Sequence, residues 1–460
     1  MARDRIPTSR VRRTATLGRL AAGQAVRQAG TRAANVARSR ADAEAALERR
    51  QLEAAEQIVA VLGTMKGAAM KLGQVLSFLD VGLVPEEHRE EFQRKLAALR
   101  DAAPKVSFKD MRRVIEEELE DDLSELFASF DEEPVAAASI GQVYRARLHD
   151  GRDVAVKVQY PGVAAAVRAD MQNLGLIMRV VKRLTPGLDV KAVTEEIRLR
   201  IDEELDYELE AQNQRSLARI FRGHPFIVVP DVVTRLSRER VVVSEFVEGT
   251  GFEQLKSCPA AERDRIGEIV FRFFFGCLYR HHQFSGDPHP GNFLLMADGR
   301  VAFLDFGLFK RMSAADVEHE LAVGRAVIER DAQALFELLA STGFLPQPER
   351  VEPEAVLAYL ADTIGWYAVD GELELTPDVA TRVAIESSDM RSSHFRSMRH
   401  QDIRPEHLFP LRMQLLTLAV LGQLRARANW HRIAREWIYG DPAVTELGRL
   451  EEEFYGRVAA

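Results

Sequence analysis

Apolar and polar positions follow two different periods along this chain, and the change of period divides it. Through residues 42–80, apolar side chains recur at Ile58, Leu62, Met65, Ala69, Leu72, Leu76 and Leu79. That three-or-four spacing lines one face of a long helix. Gly63, Gly67 and Gly73 interrupt the stripe; each costs up to about 1 kcal/mol inside a helix, so close packing is expected there. A turn at Val84-Pro85 leads to a charged helix at 86–100, and Ser107 with Asp110 reads as the capping-box-like start of another.

Between 125 and 160 the period drops to two. Strand-like runs at Gln142–Leu148 and Asp153–Gln159 flank His149-Asp150-Gly151-Arg152, a hairpin turn signal. Helical patterning returns from about 163 to 222, broken at Thr185-Pro186-Gly187. Strands resume at Phe226–Pro230 and Arg240–Phe246, and the chain beyond 255 is mainly helical. One exception stands inside that helical part: Asn292-Phe293-Leu294-Leu295-Met296, a turn at Ala297-Asp298-Gly299-Arg300, then Val301-Ala302-Phe303-Leu304. This is a second hairpin. The order predicts an α+β fold, with no repeat at a fixed period.

Charge adds a division that periodicity does not show. Residues 1–40 hold ten Arg, no Lys and one acid, Asp4, for +9; a net charge of −8 for the whole chain then leaves −17 on the other 420 residues. A basic arm on an acidic body suits an anionic surface. The arm has few aromatic residues for base stacking, which argues against nucleic acid. Being Arg-rich, Ser/Thr-containing and acid-poor, it brings a mitochondrial transit peptide into consideration. No secretory signal is legible, and the most apolar late stretch, Leu411 to Leu424, is too short to span a bilayer. Two cysteines, Cys258 and Cys277, argue against a disulfide framework, and Cys277 in an apolar run reads as a packed thiol.

The candidate chemistry surrounds the second hairpin. Asp287-Pro288-His289-Pro290-Gly291-Asn292 precedes it and Asp305-Phe306-Gly307 follows it. A kinase-like phosphoryl-transfer site needs a carboxylate to orient the attacking hydroxyl or water, an amide oxygen for one Mg²⁺, and a second carboxylate holding Mg²⁺ against the ATP phosphates. Asp287, Asn292 and Asp305 supply these in the kinase order. On the first hairpin, Val154-Ala155-Val156-Lys157 matches the strand whose Lys contacts the α/β-phosphates. Its helical carboxylate partner lies within Asp202–Glu210, where Asp206 and Glu210, four apart, are expected on one helix face.

Three departures from an ordinary kinase matter. Ala136-Ala137-Ala138-Ser139 stands where a Gly-rich loop would cover the phosphates; alanines restrict φ and add methyl groups. His-Arg-Asp has become Ser285-Gly286-Asp287, so no Arg precedes the aspartate. After Gly307 the chain passes almost directly into a helix near Ser313, leaving little room for an activation loop.

With these departures the chain resembles the UbiB (AarF-like) family of atypical kinases, which includes the mitochondrial coenzyme Q biosynthesis kinase-like ATPases. The resemblance is carried further by Lys71-Leu72-Gly73-Gln74, by the Ala-rich loop and by Glu204-Leu205-Asp206, and it covers nearly the whole chain. It implies a bilobal protein-kinase-like fold whose N-terminal helical extension covers the active site. The organisation expected is a basic arm (1–41), a helical extension (42–124), an N-lobe with a helical insert (125–248) and a helical C-lobe (249–460). By the same resemblance Lys71 and Gln74 fold over the site, Glu204 and Asp206 tether them, and Glu210 pairs with Lys157. The hinge is Glu245-Phe246-Val247, whose backbone would meet adenine. ATP and Mg²⁺ are the implied cofactors.

The resemblance extends into the arm at Ile6-Pro7-Thr8-Ser9-Arg10 and Gly18-Arg19-Leu20-Ala21-Ala22-Gly23, which leaves no room for a cleavable leader. A bacterial cytoplasmic protein peripheral to the inner membrane is therefore expected over a mitochondrial precursor. The function expected is an ATP-binding atypical kinase or ATPase supporting isoprenoid-quinone biosynthesis at a membrane surface. Its expected partners are anionic lipid, isoprenoid precursors and quinone-biosynthesis enzymes. A conventional Ser/Thr protein kinase and a nucleotide-binding pseudokinase scaffold are the alternatives.

Overall fold

A computed structural model describes residues 106–459, apart from 139, 172–177, 179–189, 346 and 389–404. The helical stripe of 42–80, the helix at 86–100 and the basic arm lie outside the described residues, as does the part of the expected helical extension before residue 106. The described chain begins with α1 (Phe108–Leu119), whose buried Met111, Val114 and Ile115 form one face. Ser107 starts it as its sequence suggests: its hydroxyl donates to Asp110 and accepts from the Asp110 amide.

A five-stranded sheet follows, made of β1 (Ser129–Phe130), β2 (Ala136–Ala138), β3 (Gly141–Arg147), β4 (Asp153–Gln159) and, much later, β6. Its order is β1-β3-β4-β6, with β2 also paired to β3. On β4, Val154, Val156 and Val158 are fully buried while Asp153, Ala155 and Lys157 face the other way, the alternation a half-covered strand requires. The β3–β4 turn uses Asp150-Gly151-Arg152: Gly151 takes φ +88°, and the Arg152 amide donates to Asp150 Oδ1 at 3.1 Å. Glycine adopts that φ without steric cost.

Helices α2 (Val163–Met171), α3 (Val190–Glu204) and α4 (Tyr207–Ile220) come next, then β5 (Ile227–Val228) and β6 (Val241–Glu245). The long α5 (Ala260–Tyr279) buries Phe271, Phe273, Phe274, Phe275 and Cys277. Four short strands surround the candidate chemistry: β7 (Gln283–Ser285), β8 (Phe293–Leu295), β9 (Val301–Phe303) and β10 (Phe309–Arg311). The rest is mostly helical, including α6 (Ala314–Glu329), α7 (Pro405–Leu424), α8 (Trp430–Ile438) and α9 (Glu446–Ala459). Among the described residues, no helix is long and apolar enough to cross a membrane.

The chain divides into two compact units, and the boundary cuts the β3–β4 hairpin crosswise. The first contains the open end of that hairpin, β2, α2 and α3. Within it the Tyr160 amide donates to Ile140 O at 2.9 Å, and buried Gln159 donates to Leu205 O at 2.7 Å. The second contains the turn end of the hairpin and everything from Asp206 onward. Its core is aromatic: Phe273 stacks on Phe303 with centroids 3.6 Å apart and planes 9° apart, fastening α5 to β9.

Candidate functional site

Two strand pairings inside the second unit force two loops together. β8 pairs antiparallel with β9 through Phe293–Phe303, Leu294–Ala302 and Leu295–Val301. β7 pairs antiparallel with β10 through Ser285–Phe309, Phe284–Lys310 and Gln283–Arg311. The Asp287–Asn292 loop leaves β7 and enters β8; the Asp305-Phe306-Gly307 turn leaves β9 and enters β10. Because their flanking strands are partners, the loops must run side by side. Backbone bonds seal both ends: the Leu304 amide donates to Asn292 O at 2.8 Å, and the Gly286 amide to Leu308 O at 2.7 Å.

Each loop is also braced from within. The His289 amide donates to Asp287 O at 2.7 Å and the Asn292 amide to His289 O at 2.9 Å. Asn292 Nδ2 donates to Asp287 O at 3.2 Å. Asp305 Oδ1 accepts from the Gly307 amide at 3.0 Å. The hairpin between them turns as its twin does, with Gly299 at φ +84° and the Arg300 amide on Asp298 Oδ1 at 3.1 Å.

Helix α4 brings the third carboxylate. A Cβ built on Gly307 would lie 3.5 Å from Asp305 Oδ1 and 3.7 Å from Glu210 Oε2, so both carboxylates converge on that glycine. Glu210 is only 3% exposed. Asp206 stands one turn before it, where the Glu210 amide donates to Asp206 O at 3.2 Å. It is the N-cap of α4, with its side chain accepting from the Leu209 amide at 3.0 Å, the position in which a short carboxylate satisfies an unpaired helix donor. Glu204 ends α3 in the first unit, half-buried.

The expected hinge joins this centre through its own continuation. Arg145 donates to Asp153 at 2.7 Å, pairs with Glu248 at 3.0 Å and lies 4.5 Å over the Phe246 ring. The Arg147 and Arg145 guanidiniums together hold the Asp153 carboxyl well below the usual range. Glu245, exposed at the end of β6, accepts from the Asp231 amide at 3.2 Å, and Val247 is half-buried. Thr250 and Leu295 then exchange backbone bonds of 2.7 and 3.0 Å, tying the segment after the hinge to β8.

The first unit holds the remaining described candidates. Lys157 is half-buried on β4. Ala136, Ala137 and Ala138 form β2, with Ala137 opposite Gln142; the run is an extended strand instead of a loose loop. Lys71, Gln74 and Ser139 lie outside the described residues.

Three residues of the site were not singled out from the sequence. Asn213, 2% exposed, donates to Phe306 O at 3.2 Å; it stands three residues after Glu210, so helix periodicity carries its signal. Gly249 allows the approach of Thr250 to β8, since a Cβ there would meet Leu295 O at 2.7 Å. Arg412, on α7, donates to Gly286 O at 2.6 Å and has no local sequence signal.

A kinase-like α+β domain with paired Asp-x-x-x-x-Asn and Asp-Phe-Gly loops is the class these features define. Residues 98–339 match the model of the ABC1 atypical kinase-like domain, and the chain belongs to that AarF/UbiB family. It is similar to the mitochondrial atypical kinase COQ8B of Rattus norvegicus, 34% identical over 63% of this chain and 54% of the rat protein. AarF domain-containing protein kinase 1 of Mus musculus is 34% identical over 56% of this chain and 50% of the mouse protein. The chain thus spans about half the length of these relatives. Among solved structures, the complex of Rv3197 with erythromycin from Mycobacterium tuberculosis is similar. It matches with a TM-score of 0.62 and 32% identity, over 87% of this chain and 98% of that one.

Proposed function

We propose that this chain is an ATP-using atypical kinase or ATPase that supports isoprenoid-quinone biosynthesis at a membrane surface. The observation that carries the reading is the side-by-side pairing of the Asp287–Asn292 loop and the Asp305–Gly307 turn, with Glu210 converging on Gly307. In this reading Asp287 orients the attacking hydroxyl or water, and Asn292 and Asp305 hold Mg²⁺. The donor chemistry fits, since one amide oxygen and one carboxylate are the hard ligands Mg²⁺ takes alongside waters and phosphate oxygens. Bound Mg-ATP supplies the transferable phosphoryl group.

Lys157 keeps the role of phosphate-contacting ammonium, and Ala136, Ala137, Ala138 and Ser139 that of phosphate cover. Glu245 and Val247 offer backbone to adenine. Lys71, Gln74, Glu204 and Asp206 govern access. A non-protein acceptor is favoured by the short passage from Gly307 to the α6 N-cap. Ser313 and Asp316 close a capping box there, only two residues after β10 ends. The quinone assignment is supported by the motif resemblance and by relatives bearing the COQ8 name. A location at an anionic membrane surface is supported by the +9 arm, and the bacterial reading by the motif resemblance that begins at Ile6.

The test is thermal melting with and without Mg-ATP, together with phosphate release. Mg-ATP raises the wild-type melting temperature, Asp305→Asn removes that rise, and Asp287→Asn lowers phosphate release to a small residual rate. An undiminished rise in Asp305→Asn overturns the metal assignment. Quinone profiling of a deletion strain complemented with wild type or Asp305→Asn tests the pathway, and anionic liposome binding with and without residues 1–40 tests the membrane role.

A further inference from the structure

We propose that Arg412 is a positioning residue for Asp287, delivering from a distant helix the cation that Ser285-Gly286-Asp287 lacks. This rests on the reading of Asp287 as the group that orients the acceptor.

Gly286 explains why the cation does not come from the loop itself. A Cβ built there would lie 3.3 Å from Leu308 Cδ2 and 3.5 Å from Phe409 Cδ1. A first carbon is already tight against Leu308, and a longer side chain would run into the Phe409 ring. Lys310 also approaches that ring, with its Nζ 5.8 Å from the centroid. The space beside the loop is therefore filled by α7, which presents Phe409 and, three residues on, Arg412. These lie on neighbouring points of one helix face.

The contacts of Arg412 are specific. Nη1 donates to Gly286 O at 2.6 Å, a charge-assisted bond that fixes the peptide immediately before Asp287. Nη2 stands 3.8 Å from Asp287 Oδ1. That separation is ion-pair range but too long for a hydrogen bond, so the guanidinium attracts the carboxylate without capping the oxygen that must face the acceptor. The side chains are 14% and 25% exposed, so water screens the attraction only in part. Asp287 O is already engaged by the His289 amide and by Asn292 Nδ2. Arg412 secures the preceding peptide and the side chain, the two elements those bonds leave to other partners. The sequence departure at Gly286 and the placement of Arg412 are thus one arrangement.

The experiment compares wild type, Arg412→Gln, Arg412→Lys, Asp287→Asn and the Arg412→Gln/Asp287→Asn double variant. Steady-state phosphate release from Mg-ATP is measured alongside amide hydrogen exchange over residues 286–292. Misplacing a reacting group by about 1 Å costs up to ~100-fold, so Arg412→Gln is expected to lower kcat by roughly 10- to 100-fold. KM for ATP should stay within about threefold, because the contact serves the acceptor side. Arg412→Lys restores part of the rate, since an ammonium keeps the charge but not the fork. The double variant falls no further than Asp287→Asn, as two residues acting as a unit require. A wild-type kcat in Arg412→Gln, multiplying losses in the double variant, or no recovery with lysine overturns the proposal.

Hydrogen exchange separates this from a failure of the functional reading. Should wild type release no more phosphate than Asp287→Asn, the kinase or ATPase reading falls. Faster exchange at the Gly286 and His289 amides in Arg412→Gln still supports positioning, and unchanged exchange there overturns it.

Discussion

Asn213 Nδ2 donates to the backbone carbonyl of Phe306 across 3.2 Å, with Asn213 2% and Phe306 0% exposed. The bond fastens α4 to the Asp305-Phe306-Gly307 turn at the level of Glu210, one helical turn from it. Asn213→Leu removes the donor and leaves a buried carbonyl with one partner fewer, at an expected cost of about 1–3 kcal/mol. Denaturant unfolding should show that loss, and Mg-ATP should raise the melting temperature less than in wild type because the turn carrying Asp305 is less firmly held. Wild-type stability together with a full nucleotide response in Asn213→Leu would show that α4 does not support the turn.

Arg272 organises the other end of the second unit. Its guanidinium, fully buried, donates to Glu268 at 2.7 Å, to both oxygens of Glu436 at 2.8 Å, to Glu451 at 3.0 Å and to Thr445 at 2.9 Å. Glu451 lies on α9, so the cluster latches the final helix onto α5. Arg272→Met strands three carboxylates in the interior and should cost about 3–5 kcal/mol. A finer probe is Gly448→Ala. Helix propensity alone favours alanine by about 1 kcal/mol. A Cβ there, however, would lie 2.4 Å from Arg272 Nη2 and 2.8 Å from Ala443 Cβ. Overpacking of that kind costs about 1–3 kcal/mol, so the variant should unfold at lower denaturant. A more stable Gly448→Ala would refute the close fit.

What the sequence could disclose follows from how locally each feature is encoded. Both hairpins were legible because Asp-Gly-Arg imposes its own turn, with glycine at positive φ and the aspartate accepting from the arginine amide. Asp287, Asn292 and Asp305 were legible because they flank a single hairpin, so spacing along the chain stands in for distance in space. The α+β class and the family followed from these. Strands β7 and β10 were not legible: three residues each carry no period, and their pairing joins segments on the outer sides of the β8–β9 hairpin. Asp206 was read as part of a helix face because four-residue spacing cannot tell a cap from a first turn. Arg412 stands 125 residues beyond Asp287, and no pattern distinguishes it from other arginines until α7 packs on the loop.

Burial of His281 has a pH consequence. Its Nε2 lies 2.8 Å from Tyr455 Oη. Burial first, and the neighbouring Arg280 second, push its pKa down to about 4. His224, beside Glu451 at 3.8 Å, is lowered in the same sense by burial. A histidine depressed in the fold stays neutral there while the unfolded chain takes up a proton below about 6.5. The stability it contributes is therefore complete above about pH 6.5 and is lost as pH falls towards 4. Glu436, raised by burial, works against this, since its protonation favours the fold as pH falls. His281→Gln keeps a polar partner for Tyr455 and should flatten the decline by about 1 kcal/mol per pH unit within that window. Urea midpoints measured from pH 4 to 7 decide the matter; parallel curves for both proteins would exclude His281 as a contributor.

The Ala-rich run is open to a similar single-atom test. Ala136, Ala137 and Ala138 pair with Val143, Gln142 and Gly141 as a regular antiparallel strand, and Ala137 is exposed. Alanine here restricts the backbone that glycine would leave free, and exchanging it for glycine weakens a strand by roughly 0.5–1 kcal/mol. Ala137→Gly should therefore raise amide exchange in β2 while leaving the global melting temperature within a degree or two, because the site is on the surface. If this strand covers the phosphates, the same loosening changes the Mg-ATP concentration needed for half-maximal thermal stabilisation. A β2 that exchanges faster while that midpoint stays fixed would separate the strand from nucleotide binding and move the phosphate contacts to another part of the first unit.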